Sequence, residues 1–297
     1  MSFSSDVKEE LSKINNLAKK QEVKYELDGY LISKNTSIVN KNYIRYATES
    51  EYNINRFSKL LKNLNLNHNI EYDGKSFIIT LKTKDLLELK ENDIIKLEEN
   101  ENIILNLYED INEINKKAII RGAFLGAGSI NNPDNKYHLE INLSNEKNLQ
   151  CITDILKLFK INCKNLAQEN KYSIYLKDGE EISKFLALVG ANSAVLKFED
   201  IRIQKEMRGK VNRIVNCQTA NLNKTINASV EQIEAIKKLQ KEKKFYKLDD
   251  NLKEIAILRL ENPDMSLIEL GKRLKNPLGK SGVNYRLKKI IEIAKEL

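Results

Sequence analysis

Apolar residues recur every three or four positions through much of this 297-residue chain, and short alternating runs interrupt them. "EVKYELDGYLISKN" (22–35) has the helical pattern. β-Branched and aromatic residues cluster in "TSIVNKNYIRYAT" (36–48), which predicts two strands. Residues 51–64 carry Ile54, Phe57, Leu60, Leu61 and Leu64 at helical spacing. "HNIEYDGKSFIITLK" reads as a hairpin turning at Asp73-Gly74, and "TKDLLELKEN" starts another helix. The same order returns near residue 113. "EINKKAIIRGAFLGAG" is a helix, "SINNPDNKYHLEINLS" a hairpin around Asn132-Pro133-Asp134, and "NEKNLQCITDILKLF" a helix. "INCKNLAQENKYSIYLK" is a second hairpin and "GEEISKFLALVG" a short helix. A repeated unit of this kind predicts an α+β core of two αββαββα halves, 1–105 and 106–198, with residues 91–112 as their connection.

The helix that opens the second half holds Gly122 and Gly126 four apart, and Ala123 and Ala127 likewise. Residues four apart share a helix face. Each glycine costs a helix about 1 kcal/mol relative to alanine, and close approach of another backbone is the compensating gain. The matching helix of the first half offers Gly29 and Ser33. The two helices are therefore expected to pack against each other at the centre of the core.

Beyond residue 198 the pattern changes. "IRIQKEMRGKVNRIVNCQTANLNK" (201–224) sets Arg202, Lys205, Arg208, Lys210, Arg213 and Lys224 against one acid, Glu206. Residues 199–226 read as a basic connector. Arg208, Lys210 and Arg213 are candidate phosphate contacts there, and a solvated linker accounts for the segment equally well. Residues 227–297 then read as an all-α domain. Its first helix opens at Ser229. Another, "NLKEIAILRLEN", stops before Pro263. "SLIELGKRLK" begins with Ser266-x-x-Glu269, a capping box. After the break "NPLGK" comes "SGVNYRLKKIIEIAKEL". Short helix, tight turn and second helix are the shape of a helix-turn-helix. Val283, Leu287, Ile290, Ile291 and Ala294 make the last helix's apolar face. Lys280, Ser281, Asn284, Tyr285 and Lys288 lie near its start and off that face, with donors suited to phosphates and base edges. Lys272, Arg273, Arg286 and Lys289 complete the candidate DNA-binding set. Residues 272–289 hold seven basic residues and no acid.

Charge sharpens this division. Residues 1–199 carry 28 Lys+Arg and 29 Asp+Glu, a net of −1, and residues 200–297 carry 22 and 13, a net of +9. A one-sided basic excess is the footprint of a polyanion binder, so double-stranded DNA is the expected partner. Three cysteines without a CxxC pair and two histidines give little material for a disulfide framework, a metal site or a catalytic triad. No metal, cofactor or catalytic residue is expected. No apolar run reaches the ~18 residues of a membrane span, and the N-terminus has no basic-then-apolar signal pattern. A cytoplasmic, nucleoid-associated protein without membrane contact is the expectation.

The duplicated unit with its "RGAFLGAGSI" helix end resembles the LAGLIDADG homing-endonuclease fold. In that family each central helix ends in an acid that holds divalent metal against DNA. The resemblance places those acids at Lys34, in "LDGYLISKN", and at Ala127, and neither side chain ligates a metal. It therefore implies a retained fold and a lost nuclease. "MSFSSDVKEEL", "RGAFLGAGSINNPDNKYHLEI", "NRIVNCQTAN" and "LGKSGVNYRLKKI" together resemble the WhiA family of Gram-positive bacteria. That resemblance implies a non-enzymatic transcriptional regulator linked to sporulation, cell division or chromosome segregation. The alternative is a protein-interaction module that binds a sigma factor or another regulator, with DNA contact secondary.

Overall fold

The computed structural model describes residues 2–89, 95–97, 102–105 and 111–297. The chain divides into two compact units, Met1–Glu206 and Met207–Leu297.

The first unit opens with α1 (Phe3–Ser12), which the sequence reading does not anticipate; its Phe3, Val7 and Leu11, four apart, are buried. The first pass follows as α2 (Lys20–Leu31), β1 (Thr36–Val39), β2 (Tyr43–Thr48), α3 (Glu51–Asn63), β3 (His68–Tyr72), β4 (Phe77–Lys82) and α4 (Thr83–Leu89). Next in sequence is a short antiparallel pair, β5 (Ile95–Leu97) and β6 (Ile103–Leu105). The second pass is α5 (Glu113–Ala127), β7 (Gly128–Ile130), β8 (Leu139–Leu143), α6 (Glu146–Leu158), β9 (Lys164–Gln168), β10 (Lys171–Leu176) and α7 (Gly179–Val189). The sheets have matching antiparallel orders, β1-β2-β4-β3 and β7-β8-β10-β9, so the duplication extends to topology.

Local chemistry sets the boundaries. The side chains of Ser50, Asn112, Asn145 and Asp178 cap the N-termini of α3, α5, α6 and α7. The expected helix over 22–35 stops at Leu31, because the hydroxyls of Ser33 and Thr36 donate to the Tyr30 carbonyl at 2.7 and 2.8 Å. At the β3–β4 hairpin Gly74 takes φ +92°, and Asp73 Oδ1 accepts from the Lys75 and Ser76 amides. The stretch expected to be only a connection, 91–112, contains the β5–β6 pair among its described residues; residues 91–94, 98–101 and 106–110 lie outside them. β6 is held by Asn148, whose side chain accepts from the Leu105 amide (2.9 Å) and donates to the Ile103 carbonyl (2.7 Å).

α2 and α5 pack backbone to backbone, as their small residues predict. A Cβ added at Gly122 would lie 2.0 Å from the Glu26 carbonyl oxygen, and one at Gly29 would lie 2.2 Å from that of Ile119. One at Gly126 would meet Ser33 Oγ at 2.6 Å. Beside this contact Glu26 is wholly buried. It accepts from Arg56 Nε (2.7 Å) and Nη2 (2.9 Å), from Arg121 Nε (3.0 Å) and Nη2 (2.9 Å), and from Asn16 (3.0 Å).

α8 (Asn192–Lys241) is one 50-residue helix. Residues 199–226, read as a basic connector, lie wholly within this helix, and one expectation is corrected: Ser229 lies inside the helix rather than at an N-cap. No proline falls between 192 and 241, and Gly209 is the one glycine. Ser229 Oγ instead donates to the Pro263 carbonyl at 2.5 Å. The second unit continues through a 3₁₀ turn (Phe245–Lys247) to α9 (Asp250–Glu261), α10 (Leu267–Arg273) and α11 (Lys280–Lys295). Its core comprises Ile236 and Leu239 of α8, Leu252 and Ile255 of α9, Leu270 of α10 and the buried face of α11. Among the described residues no helix is long and apolar enough to cross a membrane.

Candidate nucleic-acid interface

α10, the turn 274–279 and α11 form the helix-turn-helix, and α9 packs against both helices. The capping box at the start of α10 is complete: Glu269 N donates to Ser266 Oγ (3.3 Å) and Ser266 N to Glu269 Oε2 (2.9 Å). Hydrogen bonds from the Ser266 hydroxyl and the Ser266 amide hold the Glu269 carboxyl below its ordinary pKa. The turn depends on Gly271, which pattern reading passes over. A Cβ there would lie 2.1 Å from the Leu278 carbonyl oxygen, and Leu278 N donates to the Gly271 carbonyl (3.0 Å). An isolated glycine inside an amphipathic run was its one visible signal.

Val283, Leu287, Ile290 and Ala294 of α11 are buried, as their spacing predicts, and Ile291 is half-buried. At 100° per residue the opposite side carries Ser281, Tyr285, Lys288 and Lys289, all exposed, with Tyr285 at 69%. Lys280 and Asn284 follow on one flank, exposed and half-exposed. Arg286 points to the other flank, where Nη1 donates to the Asn251 carbonyl at 3.5 Å, so it is set apart from the remaining candidates. Lys272 and Arg273 are exposed in the last turn of α10, and Arg273 Nη1 donates to Asn262 Oδ1 (3.0 Å). Arg208, Lys210 and Arg213 are exposed on α8. α11 thus offers a groove-sized helix whose outward face combines ammonium groups, hydroxyls and an amide. Its free N-terminal amides add partial positive charge.

The other candidate centre is the pair of positions where a nuclease of this fold would carry acids. Lys34 is exposed and Ala127 half-buried. Side-chain donors already occupy the carbonyls ending α5. Asn53 Nδ2 donates to Leu125 O (2.7 Å), and Asn35 Nδ2 (2.9 Å) and Tyr46 Oη (3.3 Å) donate to Gly126 O. An ammonium, a methyl group and inward-facing donors do not fit a divalent cation. Among the described residues no three His, Cys, Asp or Glu side chains are grouped to hold one.

Residues 116–208 match the family model described as the WhiA LAGLIDADG-like domain, and residues 211–294 match the WhiA C-terminal HTH domain. The probable cell division protein WhiA of Clostridium tetani is 40% identical over 314 aligned positions, covering 100% of this chain and 98% of that protein. Its counterpart in Clostridium acetobutylicum is 49% identical over 200 residues, 65% of this chain and 63% of that one. Full-length DUF199/WhiA from Thermotoga maritima is similar in structure, with a TM-score of 0.62 at 29% identity over 100% of this chain and 99% of that one. Two domain models end to end, a full-length relative and a full-length structure give one answer: this chain belongs to the WhiA family.

Proposed function

We propose that this protein is a sequence-specific duplex-DNA-binding transcriptional regulator of cell division, sporulation or chromosome segregation, acting in the cytoplasm at the nucleoid and without nuclease activity. The observation that carries the reading is the outward face of α11, with Lys280, Ser281, Asn284, Tyr285, Lys288 and Lys289 exposed or half-exposed beside an acid-free turn. Lysines at phosphates give affinity to any duplex, and an amide at a base edge gives preference.

Fluorescence anisotropy of the full chain on random and preferred duplexes across a salt series tests this. Lys288→Ala with Lys289→Ala is expected to weaken binding to every duplex and to flatten the log–log salt slope by about 2. Asn284→Ala is expected to lose about 1–3 kcal/mol of discrimination at one base pair, with little change on random DNA. Equal losses by Asn284→Ala on all sequences would remove it from base reading.

The lost-nuclease part rests on the donors at the α5 carbonyls. Neither the native chain nor Lys34→Asp with Ala127→Asp is expected to nick supercoiled plasmid with magnesium or manganese, because restored acids would still face Asn35, Asn53 and Tyr46. Nicking by the native chain would overturn it.

A second reading, with a sigma factor or other regulator as the main partner, draws support from α8, where Met207, Val211, Ile214 and Leu222 are exposed at helical spacing. Co-purification of polymerase by the native chain, lost in Val211→Asp with Ile214→Asp, would favour it.

A further inference from the structure

The second unit contains a cavity of about 240 Å³ walled by the later part of α8, by α9 and by the starts of α10 and α11. Arg259, Lys224 and Lys280 line it, and no acid does. Arg259 is 2% exposed. Its Nη1 donates to the carbonyls of Met265 (2.7 Å), Pro263 (3.2 Å) and Asn262 (3.4 Å), which satisfies hydrogen bonds but supplies no formal negative charge. Its Nε is buried with no partner at all. Burial alone lowers its pKa, with no carboxylate opposing the shift. Gln232, 5% exposed and lining the cavity from α8, also leaves its Oε1 unpartnered.

A buried guanidinium without a counter-charge is unfavourable. Two unpartnered buried side chains beside one cavity are an unusual concentration. An oxyanion in the cavity supplies the counter-charge that Arg259 lacks and is within reach of the other donors that line it, Lys224, Lys280 and the Gln232 amide.

We propose that this cavity is a phosphate-binding site. Its volume suits an inorganic phosphate or a phosphomonoester head and falls below the about 300–1,000 Å³ of sites for drug-sized ligands. The phosphate has two possible sources, the DNA backbone and a free small phosphate, and both present the same oxygens. The site stands on the cavity itself and does not depend on the DNA-binding reading.

Thermal unfolding of the full chain without DNA, titrated with sodium phosphate against sodium chloride at equal ionic strength, tests it. A saturable rise in Tm specific to phosphate is expected, because a ligand that binds only the folded state stabilises it. Gln232→Met removes a buried unpartnered acceptor, so its Tm without phosphate should be unchanged or higher, while its apparent phosphate Kd rises at least tenfold. Arg259→Gln should abolish the rise; if that chain does not fold, Gln232→Met and the exposed Lys224→Ala carry the test. Phosphate that competes with DNA beyond the effect of matched chloride identifies a backbone phosphate as the natural occupant. Phosphate that leaves DNA affinity unchanged or raises it identifies a free ligand. A native chain that phosphate stabilises no more than chloride does overturns the proposal, as does Gln232→Met with Lys224→Ala retaining native phosphate affinity.

Discussion

Gly122→Ala is expected to disrupt the first unit, with a loss of at least about 3 kcal/mol, above the range for one added core methylene. The added Cβ would sit 2.0 Å from the Glu26 carbonyl oxygen, 2.9 Å from its carbon and 3.1 Å from the Gly29 Cα. All are backbone atoms, so no rotamer change relieves the overlap, and α2 and α5 must move apart. Ala123, Phe124 and Tyr30, buried around this contact, would lose close packing as they separate. Urea unfolding followed by circular dichroism measures the loss. Gly209→Ala is the control: its Cβ would meet nothing within 4 Å, and it should be neutral or gain up to about 1 kcal/mol of helix propensity. Equal stability for native and Gly122→Ala chains would refute the close-packed centre.

Glu26→Gln is expected to cost about 3–5 kcal/mol, the range for breaking a buried ion pair by removing one partner. Arg56 and Arg121 would remain, 2% and 7% exposed, without the carboxylate that both hold. The same group predicts a pH effect. Burial pushes the Glu26 pKa up, but the Arg56 hydrogen bond and the charges of Arg121 and Arg56 outweigh it and leave the carboxyl below its ordinary value of 4.5. A depressed folded-state pKa contributes stability that is complete above the unfolded value and lost as pH falls below it, through the folded value. Native stability should therefore fall steeply on the acid side of 4.5, and Glu26→Gln should flatten that limb. A variant with the native acid limb would show that Glu26 is not its source.

The element order of both halves was legible because spacing alternates cleanly between helical and strand periods and because Asp73-Gly74 and Asn132-Pro133-Asp134 punctuate it. α8 was not. From residue 211 to 228 every side chain is exposed, so no buried face marks the helix, and its asparagines and basic residues outweigh the Met207, Val211, Ile214 spacing to the eye. The N-terminal run Phe3, Val7, Leu11 carried a helical signal, but its partners are distant in sequence. The outward face of α11 could be read directly, because burial of its apolar face decides which residues remain. The position of Arg286 could not, since it follows from a carbonyl on α9. Gly271 and Arg259 were hidden for the same reason: what each fits against is supplied by tertiary contact.

The Glu26–Arg121 pair also bears on how a duplicated core keeps its two halves distinct. The reciprocal overlaps at Gly29 and Gly122 put the carbonyls of Ile119 and Glu26 in corresponding places, so Ile119 matches Glu26 and Asp28 matches Arg121. Two copies of the first half would face Glu26 with Asp28, acid against acid. Two copies of the second would bury Arg121 opposite Ile119, with no acid at all. Only the mixed pairing sets Arg121 against Glu26. The seam is thus symmetric in shape and asymmetric in charge, which favours pairing of the two unlike helices over pairing of like ones.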